Sequence, residues 1–242
     1  MILGISTGCC FDLGLTRIES LRFLKQFEID AIELMFAKPQ DIFDFKPTRE
    51  DIAFLRSKKY VSFHAPFIDA DYKNNAETKK IFSGLDSLAL KVNARNIVFH
   101  VNCIKDFSLF ENVDFFPLVE NLNFREDAER LVTVKHFQDF FSVHKKFGFC
   151  LDIGHSFKQG IAPTEFLGLG EKLKQAHIHF LHLKKGELKP HGLPSKTEQK
   201  FLESARPILS LGIPLIIEAD FCPEDKDFIP TEIKLLRELE KR

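Results

Sequence analysis

Seven residues able to hold a metal ion or move a proton fall at corresponding points along the chain. Where each β-rich run gives way to a loop, its last residue able to do so is Glu33, His64, His100, Glu120, Asp152, His182 or Glu218. Imidazole and carboxylate groups are the usual ligands of divalent cations in N/O sites, and a carboxylate can also take up or give back a proton in the transition state. A lone group of this kind at a strand end is ordinarily solvated or hydrogen bonded. Seven of them converging on one place would be costly to strip of water without a partner cation. The pattern therefore points to a divalent-metal centre.

Something must bring these residues together. Eight β-rich runs can be counted, at Ile2 to Ser6, Ala31 to Met35, Tyr60 to His64, Asn96 to His100, Phe116 to Glu120, Gly148 to Asp152, Ile178 to Leu183 and Pro214 to Ala219. Longer amphipathic stretches lie between them, among them Arg17 to Phe27, Ala76 to Ala94, Arg125 to Lys145 and Lys196 to Leu209, and Pro163 and Pro230 stand where helices begin. Eight β-then-α units in a chain of 242 residues predict an α/β fold, a (β/α)8 TIM barrel formed as a single domain over residues 1–242. Only residues 101–119 separate His100 from Glu120, so the fourth helix is expected to be short or irregular. No G-x-G-x-x-G follows the first strand, which counts against a dinucleotide fold.

Side chains alternate across a strand, so Ser62 shares a face with His64, Val98 with His100, Leu118 with Glu120, Cys150 with Asp152, Phe180 with His182 and Ile216 with Glu218. In a parallel barrel that face can be the interior, and active sites sit at the C-terminal mouth. On this register His177 and His179 are of opposite parity to His182 and are expected outside or flanking. His136 and His144 fall on a helical stretch, with surface or interhelical positions expected.

Composition narrows the partners. With 34 basic and 35 acidic side chains the formal charge is −1, which counts against a whole-surface polyanion binder. No apolar run is long enough to span a membrane, and the first residues carry neither a charged leader nor a cleavage pattern, so a cytoplasmic protein is expected. The five cysteines, Cys9, Cys10, Cys103, Cys150 and Cys222, have no C-x-x-C spacing and signal neither a disulfide framework nor a thiolate zinc site. The 27 Phe, against two Tyr and no Trp, indicate a large packed core.

The motifs Ser62-Phe63-His64-Ala65-Pro66, Val98-Phe99-His100, Val119-Glu120-Asn121, Asp152-Ile153-Gly154-His155, His182-Leu183 and Ile217-Glu218 follow one another over nearly the whole chain. In this order the sequence resembles the xylose isomerase-like TIM barrel superfamily, which includes sugar phosphate isomerases and epimerases and endonuclease IV-type AP endonucleases. The resemblance implies one divalent ion, Zn, Mn, Mg or Co, held by Glu120, Asp152, His182 and Glu218. Glu120 and Glu218 would also act as catalytic acid and base on a small sugar or sugar phosphate, through a metal-stabilised enediolate. In the repair enzymes the resemblance adds His64 and His100 on one further ion and His155 and His191 on another.

At one point the chain departs from that pattern, because an expected acid before His191 is Lys189, and a charged Lys cannot ligate. One or two ions are therefore expected, with the Lys189 ammonium taking the electrostatic place of the missing one. Lys184, Lys185 and Lys189 would bind a substrate phosphate, and Glu33 would bind substrate or orient its neighbours. Metal-dependent isomerisation or epimerisation is the favoured expectation. Cleavage of abasic DNA and a barrel that only binds its ligand are the alternatives.

Overall fold

The computed structural model describes residues 1–122, 131–184, 187–223 and 229–241, and for 182–184 and 187–190 the backbone alone. Six five-residue strands come first: β1 (Ile2–Ser6), β2 (Ala31–Met35), β3 (Tyr60–His64), β4 (Asn96–His100), β5 (Phe116–Glu120) and β6 (Gly148–Asp152). They are followed by β7 (Leu173–Ile178), β8 (Phe180–Lys184), β9 (Glu187–Gly192) and β10 (Pro214–Ile217). Strands β1 to β7 and β10 form a closed parallel barrel in sequence order, with β10 pairing with β1 to seal it. Helices lie between successive strands, as the (β/α)8 expectation required.

Alternation within each strand sorts the residues into two environments. One face carries Ile5, Ile32, Phe63, Phe99, Val119 and Leu151 into the large apolar layer shared with the helices. The other face carries Val98, Leu118 and Cys150, a separate small cluster inside the barrel. By parity, His100, Glu120 and Asp152 stand directly above that cluster, toward the C-terminal mouth. Small apolar side chains thus lie beneath the ionisable groups of the rim on these three strands.

The connection between β4 and β5 contains two 3-10 turns, Val101–Cys103 and Phe107–Phe110, and no α-helix, which agrees with the expected irregular fourth unit. Aromatic rings fill the space that a helix would occupy. The ring of buried Phe110 lies 4.9 Å from Phe99, 5.0 Å from Phe82 and 4.9 Å from Phe147. No disulfide links any of the five cysteines, and four of them are buried. Burial pushes the Cys10 thiol up to about 12, so it is no nucleophile at neutral pH.

The seventh strand corrects the sequence expectation. Leu173–Ile178, and not Ile178–Leu183, completes the barrel, and the chain then leaves it as the antiparallel hairpin β8–β9, with His182 paired opposite Lys189. By hydropathy alone the more apolar segment reads as the barrel strand. The true strand is polar on its inner face, where Gln175 and His177 are fully buried by partners inside the barrel, and exposes Lys174 at its start. Elsewhere the shifts are small. The helix expected over Arg125 to Lys145 is found over Val134–Val143, with residues 123–130 outside the described part. The last strand ends at Ile217, although the Glu218 amide still donates to the Ile178 carbonyl at 3.0 Å.

Candidate metal centre

Six neighbouring barrel strands deliver the site. His64, His100, Glu120 and Asp152 end β3 to β6, His177 is the penultimate residue of β7, and Glu218 directly follows β10. Among the described residues, potential ligand atoms fall into three sets, each with its members within 4.8 Å of one another: His64–His100–Glu120, Glu120–Asp152–His177–Glu218 and His155–His179–His191. Glu120 belongs to two of them. Its Oε2 lies 3.3 Å from His64 Nε2 and 3.4 Å from His100 Nε2, while Oε1 lies 3.2 Å from His177 Nδ1. One carboxylate thus offers an oxygen to each of two adjacent cradles.

Hydrogen bonds to the main chain fix how these groups are presented. A carbonyl oxygen can only accept, so contacts of 3.0 Å from His64 Nδ1 to Ala65 O, from His155 Nδ1 to Asn121 O and from His191 Nδ1 to Glu218 O place a hydrogen on each Nδ1. Whenever such a ring is neutral, as ligation requires, Nε2 is left as the lone-pair atom. That is the second-sphere pattern of metal-ligating histidines, whose other ring nitrogen donates to a carbonyl or carboxylate. Asn121 braces the strand ends, with its Nδ2 donating to Asp152 O and its Oδ1 accepting from Asp152 N, both at 2.8 Å. Asp152 also caps the helix Ile153–Gln159, its Oδ1 accepting from the His155 amide at 2.6 Å.

The electrostatics suit a cation. Glu33, Glu120, Asp152 and Glu218 are all buried, a concentration of negative charge that water does not screen. Burial works against the charged form of each group here, yet His177 beside it holds Glu218 down at about 2. Glu120 is likewise held well below the carboxylate range, against its burial, by His177, His100 and His64. In turn, and again against burial, Glu120 lifts His64 to about 9, while the surrounding carboxylates raise His177 well above its ordinary value. In the metal-free chain, protons on the imidazoles thus supply the positive charge. A donor set of three carboxylates and one imidazole, with a second carboxylate-and-imidazole set beside it, fits one or more divalent ions.

Most residues singled out in the sequence meet here. His64, His100, Glu120, Asp152 and Glu218 converge, and His155 and His191 lie at the edge with ring centroids 5.8 Å apart. His177 takes the β7 place expected for His182, because the barrel strand begins earlier than expected and the parity argument inverts with it; the side chain of His182 lies outside the described residues. His177 and His179, expected outside, are fully buried at the mouth. Gln175 and Asn121 are site residues that the sequence reading misses. The signal available for Gln175 is its shared parity with His177. Glu33 is buried inside the barrel, where it accepts from Ser62 Oγ at 2.9 Å and Gln175 Nε2 at 2.6 Å and lies 3.2 Å from His177 Nε2. Lys184 and Lys189 stand on the hairpin strands, with their side chains outside the described residues, as is Lys185 altogether.

No helix among the described residues is long and apolar enough to cross a membrane. No family model matches the sequence, and no curated protein does. Solved structures do match over the full length. The chain superposes on a D-tagatose 3-epimerase-like protein with a TM-score of 0.65 at 18% identity, covering 100% of this chain and 97% of that one. For endonuclease IV from Thermus thermophilus the TM-score is 0.63 at 12% identity, with 100% and 99% covered. A probable 3-DHS dehydratase, AsbF, from Bacillus anthracis gives a TM-score of 0.69 at 14% identity, with 98% and 99% covered. The closed parallel barrel, in a chain that superposes end to end on an epimerase-like protein, a probable dehydratase and an endonuclease, identifies the architecture as a (β/α)8 TIM barrel.

Proposed function

We propose that this chain is a divalent-metal-dependent phosphoester hydrolase whose two adjacent cation sites share Glu120. The observation that carries this reading is the division of the Glu120 carboxylate, Oε2 toward His64 and His100 and Oε1 toward His177. A single-ion isomerase needs only the Glu120–Asp152–His177–Glu218 set. The imidazole pair on the other side of Glu120 is then surplus, whereas paired ions bridged by a carboxylate are the usual device for displacement at phosphorus. Divalent ions held there would supply Lewis acidity to phosphoryl oxygens and make water acidic enough to attack at neutral pH.

The protein's own residues supply the rest. Asn121 keeps the ends of β5 and β6 in register, so that Glu120 and Asp152 face the same space. His155 and His191 each donate Nδ1–H to a main-chain carbonyl, which leaves Nε2 of the neutral ring to accept a hydrogen bond from a substrate hydroxyl. Buried apolar strand residues beneath the rim keep bulk water from entering from below.

Incubation of the metal-loaded protein with an abasic-site oligonucleotide and, separately, with ketoses and ketose phosphates in D₂O tests the reading. Cleavage that a chelator abolishes, and that falls by a factor of about 10² or more in Glu120→Gln, is the expected result. Deuterium entering a sugar carbon with no phosphoester cleaved would replace hydrolysis with isomerisation or epimerisation at the same site.

A further inference from the structure

The third set, His155–His179–His191, meets a distance criterion for a metal site but fails a hydrogen-bond one. The backbone amide of His191 donates to His179 Nδ1 at 2.9 Å, which consumes the lone pair of the neutral ring. The ring hydrogen therefore sits on Nε2, and Nε2 lies 2.9 Å from Asp152 Oδ2. His64, His155 and His191 show the opposite arrangement, with the hydrogen on Nδ1 and the lone pair on Nε2. Among the ring contacts to the main chain, His179 alone is set up as a donor toward the centre.

Two further features are built around this contact. An added Cβ on Gly154 would come within 1.9 Å of the His179 ring, so the absent side chain at 154 is the slot in which the ring lies. His191, whose amide fixes the tautomer, holds a left-handed backbone with φ of 63°, a conformation that disfavours a non-glycine residue. Asp152 is consequently held at both oxygens, Oδ1 by the His155 amide and Oδ2 by His179.

We propose that His179 is a positioning residue that donates to Asp152 and ligates no ion, so that the centre holds two cations and leaves His155 and His191 as acceptors for substrate. The inference rests on the two-cation reading above. It also assigns to an imidazole N–H the place for which the sequence suggested the Lys189 ammonium.

The test is the number and affinity of bound ions, read by equilibrium dialysis of the metal-free protein against Zn²⁺ and by the visible absorption of the Co²⁺ form. Two ions per chain are expected in the wild type. His179→Ala and Gly154→Ala should keep both but weaken the tighter one about 10–100-fold and shift the Co²⁺ bands, whereas His179→Gln, whose amide can still donate, should lose less than about tenfold. Three ions in the wild type, with one lost in His179→Ala, would overturn the proposal while leaving the functional reading intact. So would a His179→Ala protein with wild-type affinity and spectrum. Binding of no ion at all would remove the functional reading and this one together. Should His179→Ala fail to fold, the wild-type count and His179→Gln still decide.

Discussion

A buried carboxylate cluster has to be balanced by something, and in the metal-free chain the balancing charge is a set of protons. His64 is the clearest case. Burial alone would favour its neutral form, but Glu120 raises its pKa from an ordinary 6.5 to about 9. A raised histidine contributes stability fully below 6.5 and loses it as pH climbs through about 9. Glu218, lowered from 4.5 to about 2, contributes stability above 4.5 and loses it as pH falls through about 2. The melting midpoint of the chelator-treated protein should therefore fall as pH rises from 6.5 to 9. A midpoint flat across that window would contradict the charge assignment. Divalent ions compete with the same protons, so calorimetric titration at pH 7.5 in buffers of different ionisation enthalpy should register proton release. At the same scale, Glu33→Gln removes the carboxylate beside His177 Nε2 and should weaken metal binding about 10–100-fold with little change in melting temperature of the metal-free form. Unaltered affinity in that variant would show that Gln175 alone orients the imidazole.

Elements place these residues, and they do so with uneven help from local sequence. The connection after β4 is stabilised by ring packing and not by helix formation, so truncating Phe110 should act on stability alone. Phe110→Ala is expected to cost about 3–5 kcal/mol in urea unfolding while leaving the stoichiometry of bound metal unchanged. A loss of metal sites in that variant would mean the turns help to shape the rim. Strands β3 to β6 are legible because each is a compact run ending in one ionisable residue, and the alternation that sends Phe99 outward sends His100 inward. β7 is illegible for the same reason inverted. Its inner residues, Gln175 and His177, are polar because they bond to Glu33, Tyr60 and Glu120 across the barrel, partners 57 to 142 positions away. Local hydrophobicity cannot report a hydrogen bond of that span. The apolar hairpin strand that follows therefore draws the assignment, and with it the choice of His182. Asn121 escapes notice because its role depends on the backbone of β6.

Over the whole molecule, ions bound as proposed would also act as a fastener. Ligands come from β3, β4, β5, β6, β7 and the end of β10, so cations in the mouth tie together six of the eight barrel strands. An ion that binds only the folded chain stabilises it by mass action, by about 4 kcal/mol when present at a thousand times its dissociation constant. For a chain of this length that corresponds to a rise of roughly 8–16 °C in melting temperature. Loss of Glu120 touches both cradles, whereas loss of His100 touches one. Glu120→Gln should consequently abolish most of the metal-dependent rise, and His100→Ala should remove about half of it while leaving ion binding by Glu120, Asp152, His177 and Glu218. Thermal melts of the three proteins with and without saturating Zn²⁺ or Mn²⁺ make the comparison. Equal losses in the two variants would argue that the cradles fill as one cooperative unit, and an undiminished rise in Glu120→Gln would show that the stabilising ion binds elsewhere.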